Sequence, residues 1–100
     1  MRTNKDYANT AINYLETTLC VLETSNCMNG MDKVNYAYDM MTVGNDVLTS
    51  KLMDIDNFLE RIYIYGYVDV NIIKRKRLII RVTKAINQAI KMFHDLANVF

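Results

Sequence analysis

The chain has 100 residues, 51% of them hydrophobic, with no proline and only three glycines. That is enough apolar material for one core and too few turn residues for a sandwich or barrel, so composition excludes global disorder and points to helices. The net charge of +1 conceals an asymmetry: residues 1–70 carry five Lys/Arg against ten Asp/Glu, whereas residues 71–100 carry seven against one.

Met1–Asp6 is polar and no apolar h-region follows, so no secretory signal is expected. No stretch approaches the ~20 apolar residues of a membrane span. The expected location is intracellular, cytoplasmic or nuclear. Thr3 is placed to cap a first helix, with Asp6 three residues on completing a capping-box-like start. That helix is predicted over about 4–24, with Ala8, Ile12, Leu15, Leu19 and Leu22 as its apolar stripe. Cys20 reads as a small hydrophobe on it. Cys27, in the turn Ser25–Gly30, reads as the more reactive thiol, and without a C-x-x-C spacing both are taken as reduced.

A second helix is predicted over about 31–65. Val34, Met41, Leu48, Leu52, Ile55, Leu59 and Ile62 stay in phase along one side, which favours a continuous helix across Gly44-Asn45, bent there. Such a helix would be ~50 Å long at 1.5 Å per residue, so the molecule must be elongated or the helix must break, with Asn45 capping its second part. Arg61–Val70 is rich in β-branched and aromatic residues. Gly66 reads as a helix stop followed by an extended link, with a β-hairpin as the competing reading, and Asp69 or Asn71 as the next cap.

The third helix, over about 71–99, organises the rest. Ile72, Ile79, Val82, Ile86, Ala89, Phe93, Leu96 and Phe100 form one seam, interrupted only by Arg75. Leu78, Ala85, Met92 and Val99 form a second column beside it, and Lys74, Arg77, Arg81, Lys84, Gln88 and Lys91 line the opposite face. The predicted fold is a single all-α domain: an elongated bundle of three long helices, four if the second breaks at Gly44-Asn45, completed by self-association.

Chemistry is sparsely represented. The lone His94 has no nucleophile at readable spacing, and there is no triad or phosphate-binding glycine loop. Asp54-Ile55-Asp56-Asn57 resembles the opening of a calcium loop, but Leu59 and Tyr65 stand where glycine and glutamate are required. Asp54, Asp56 and Glu60 read instead as a solvated acidic face available to cations of the third helix. No enzyme activity, cofactor or metal is therefore expected. Two features carry functional readings. Tyr63, Tyr65 and Tyr67 offer stiff amphipathic contact area for a protein partner, weighed against simply capping the core. Lys74, Arg77, Arg81, Lys84 and Lys91 offer cations to an acidic partner or a phosphate backbone, weighed against a wet face or one paired with the acidic helices. Asn87 and Gln88 are the only amides on that helix placed to read a base edge. A membrane-surface role would need the apolar face that the core requires. The expected function is a non-enzymatic, oligomeric protein-interaction module, an adaptor or inhibitor; the Asn-, Ile-, Tyr- and Lys-rich composition suits a virus or mobile element. The alternative is nucleic-acid binding through the basic face.

Overall fold

The computed structural model describes residues 2–99, the side chain of Val99 excepted. Phe100, placed on the seam of the third helix, lies outside the described residues, as does the side chain of Val99 in the second column. Among the described residues four helices are formed: α1 (Asn4–Cys20), α2 (Met31–Met40), α3 (Asp46–Tyr63) and α4 (Ile72–Val99), with a π-helical turn, Ile64–Val68, continuing α3. There is no strand among the described residues, so the all-α expectation holds and the hairpin reading of 62–70 does not.

α1 begins as expected, with Thr3 and Asp6 forming a complete capping box. It ends at Cys20, four residues before the predicted limit. From there to Met31 the backbone runs through successive i→i−3 bonds, at Val21, Thr24, Cys27, Asn29 and Met31. These tight turns fold the segment back over the bundle and bury Leu22, Cys27 and Met31. The cysteine expectations are thereby reversed. Cys20 is exposed, whereas Cys27 is buried with its Sγ 3.9 Å from the Leu59 carbonyl oxygen. Burial pushes the Cys27 thiol above its ordinary pKa.

The second predicted helix is not continuous. It stops at Met40, and the chain is extended at Met41 (φ −74°, ψ 142°) before Asn45 caps α3 through its side chain to the Leu48 amide, 3.1 Å. One side chain holds the break together. The Tyr38 hydroxyl accepts from the Asn45 amide (2.8 Å), lies 3.0 Å from the Asn45 carbonyl oxygen and 2.9 Å from Thr49 Oγ1. A straight helix over this whole span would exceed the 44 Å long axis of the molecule. The break leaves the apolar stripe in phase, which is why periodicity alone did not reveal it.

α4, at ~42 Å for 28 residues, runs the length of the bundle. It packs against both α1 and α3, and α1 packs in turn against α2. Between α2 and α3 a polar link, Asn35 Nδ2 to Asp56 Oδ2 at 3.0 Å, helps close the ring. Phe93 is fully buried on the α4 seam, edge-on to Tyr38 with ring centroids 5.8 Å apart. Gly30 marks the close crossing of α1 and α2: a Cβ there would lie 2.8 Å from Thr18 Oγ1, itself bonded to the Tyr14 carbonyl oxygen. Along the seam Val82, Ile86, Ala89 and Phe93 are buried, but Ile72 at its start is exposed.

Candidate functional site: a basic cleft at the α3–α4 corner

Gly66 does not stop a helix as expected. It lies inside the π-helical turn, whose i→i−5 bond runs from the Asp69 amide to the Ile64 carbonyl oxygen, 2.9 Å. Its lack of a side chain is used by Arg75, since a Cβ at Gly66 would lie 2.9 Å from Arg75 Cδ. Arg75 thus crosses Gly66, stands over the Tyr67 ring at 5.8 Å, and donates from Nη2 to the Glu23 carbonyl oxygen at 3.0 Å. The Tyr67 hydroxyl donates to the same oxygen at 3.1 Å. Arg75, the one interruption of the seam, is therefore a clasp between the α1–α2 turn and the π-helical turn, although its Nε is buried without a partner. The chain then reverses through Val70, a β-branched residue in the left-handed region (φ 53°), before Asn71 caps α4 through its side chain to the Lys74 amide, 3.1 Å. Asn71, not Asp69, makes the expected cap.

This corner holds a cleft of about 200 Å³ lined by Arg61, Tyr65, Lys74, Arg77, Leu78 and Arg81. The last turn of α3 supplies Arg61, the π-helical turn supplies Tyr65, and two turns of α4 supply the rest. Lys74 Nζ stands 5.3 Å from the centre of the Tyr65 ring. Among the described residues no acidic side chain lines the cleft, and its four cations are exposed. Among the described residues none of the four donates a side-chain hydrogen bond.

The two candidate sets read from the sequence are redistributed by this geometry. Tyr65 joins Lys74, Arg77 and Arg81. Tyr63 and Tyr67 face each other outside the cleft, centroids 5.4 Å apart, with Tyr67 engaged in the Arg75 clasp. Lys84 and Lys91 are exposed further along α4, Lys91 about 15 Å beyond Arg81 at 1.5 Å per residue. Arg61 was missed, because it stood in the acidic part of the chain; its i, i+4 spacing to Tyr65 on a helix continued through residue 65 was the available signal.

The rest of the surface is less convergent. Asp56, expected on a solvated face turned toward α4, is half-buried against Asn35 of α2, and desolvation holds its carboxyl above the ordinary value. Lys51 of α3 donates to the Gln88 amide oxygen on the basic back of α4. No three His, Cys, Asp or Glu side chains among the described residues are grouped to hold a metal ion, and no described helix is long and apolar enough to cross a membrane. Around the same α3–α4 corner Val68, Val70, Ile72 and Ile73 are at least 57% exposed; by helical spacing Ile72 lies on the side of α4 away from Lys74, Arg77 and Arg81, whereas Ile80, at 72%, shares the outer face of α4 with Ile73, Arg77 and Lys84. Compared with known proteins, the chain matches no family model, no curated protein and no solved structure.

Proposed function

We propose that this protein is a non-enzymatic interaction module, an adaptor or inhibitor acting inside the cell, that binds an acidic segment of another protein at the α3–α4 corner. One observation carries the reading: at the α3–α4 corner a cleft lined by four cations and no carboxylate occurs together with exposed aliphatic side chains. Charge at the rim orients an acidic partner, and the aliphatic side chains supply dehydrated contact area. Self-association belongs to the same reading, through the exposed aliphatic side chains and the outer faces of the helices. A viral or mobile-element origin, drawn from composition, is compatible with so small an effector.

The test is a comparison of captured partners between the wild-type chain and two variants. Arg77→Glu/Arg81→Glu, with its helicity checked by circular dichroism, should lose a partner that Lys5→Glu/Lys33→Glu retains. Retention by both variants would remove the cleft from the interaction.

Nucleic-acid binding is the second reading, supported by the same cations. Asn87 and Gln88 are both exposed, the Gln88 amide oxygen accepting from Lys51, and two amides among several cations favour backbone contact over base readout. Fluorescence anisotropy with mixed-sequence oligonucleotides at two salt concentrations decides it. Binding that weakens steeply with salt, as counterion release requires, would favour nucleic acid over a protein partner.

A further inference from the structure

We propose that the cleft is a phosphoryl site: it takes the dianionic phosphomonoester of a phosphorylated side chain, presented by the partner segment. The inference rests on the protein-partner reading and specifies what the cleft itself recognises.

Three features of the cleft point this way. The first is charge density. Three guanidinium groups and one ammonium surround about 200 Å³ with no carboxylate in the lining, an arrangement whose mutual repulsion a concentrated negative charge relieves. A lone carboxylate carries one charge and occupies one guanidinium fork. A phosphomonoester carries nearly two charges at neutral pH and three terminal oxygens, which can engage several forks at once. The second is convergence from separate elements. Arg61 comes from α3 and Lys74, Arg77 and Arg81 from α4, so cations of two elements bound the cleft, three of them on a line of about 10 Å along one helix. Lys84 and Lys91, which would extend such a line, lie outside the lining. The third is the neighbourhood. Tyr65 and Leu78 form the apolar part of the lining, and Ile73 is exposed one turn before Arg77 on the same face of α4, apolar contact suited to the residues flanking a modified side chain.

The lining holds no histidine or carboxylate, so the ligand's own second proton is the one that titrates near neutrality. Affinity for a phosphomonoester should therefore rise about five- to tenfold between about pH 5 and about pH 7.5, as the monoanion becomes the dianion. Affinity for a carboxylate or a phosphodiester should stay level over that range.

The experiment is a two-dimensional NMR titration of the full chain with phenyl phosphate, benzoate and dimethyl phosphate at those two pH values. The expected result is saturable binding of phenyl phosphate, with shifts centred on Tyr65, Lys74 and Leu78. Arg61→Gln and Arg77→Gln, read separately so that misfolding of one leaves the other informative, should each weaken it about tenfold, while Lys33→Gln leaves it unchanged. Equal affinity for benzoate would overturn the phosphoryl assignment yet leave an acidic-partner site standing. A preference for the diester, or for an oligonucleotide added as a fourth arm, would overturn it in favour of nucleic acid. Shifts scattered over the surface without saturation would overturn the site altogether.

Discussion

At the scale of single residues, chemical type was a poor guide to exposure wherever the chain turns. Cys27 looked like a loop thiol because Asn26, Asn29 and Gly30 surround it. Consecutive tight turns nevertheless carry it into the core and leave Cys20 outside. Reaction with a thiol-specific chromophore should therefore modify one cysteine rapidly in the native protein, Cys20, and the second only on unfolding. Mass spectrometry of the labelled peptides checks the assignment. Gly66 and Arg75 make a second case. Methyl at Gly66 must displace an arginine pinned to the Glu23 carbonyl, so Gly66→Ala should lower stability by about 1–3 kcal/mol. In an Arg75→Ala background the same substitution should cost little, because the obstructing side chain is gone. A double-mutant cycle from denaturant unfolding measures that coupling, and additive effects would separate Gly66 from the clasp.

At the scale of elements, helix ends were decided by side chains that periodicity does not see. The α2–α3 break depends on the Tyr38 hydroxyl, which meets Asn45 and Thr49 across the gap. Tyr38→Phe keeps the ring against Phe93 and deletes only the hydroxyl, leaving the Asn45 amide to find water. It should cost about 0.5–1.5 kcal/mol, against almost nothing for Tyr36→Phe on the exposed face of the same helix. Thermal melts of the two variants make the comparison. The α2–α3 link carries a pH signature as well. Because burial raises the folded-state pKa of Asp56 above 3.8, its contribution is fully present below that value and is lost as pH rises through the raised one. Asp56→Asn should thus raise the melting temperature near neutral pH and leave it nearly unchanged at about pH 3. A variant less stable at neutral pH would mean that the Asn35 bond to the carboxylate outweighs desolvation.

At the scale of the whole molecule, the charge asymmetry is not dissipated by packing. The basic end of α4 meets Arg61, another cation, at the corner of the bundle, so folding concentrates positive charge there. If the outer faces join two copies through opposite charges, the sedimentation coefficient should fall toward that of the 11.6 kDa monomer as salt is raised. A value independent of salt would place any self-association on the exposed aliphatic side chains instead.

Much of the fold was legible in the chain itself. The α4 seam, the Thr3–Asp6 start of α1 and the Asn45 and Asn71 caps are local features, and local spacing determines which side chains share a helix face. All-α character followed from composition and periodicity for the same reason. Burial of Cys27, rupture of the second helix between Met40 and Asn45, the π-helical turn crossed by Arg75, and the addition of Arg61 to the basic cleft were decided only in three dimensions. Each depends on contacts between residues far apart on the helix surface or in the chain, and a helical repeat places a side chain on a face without saying what stands opposite it.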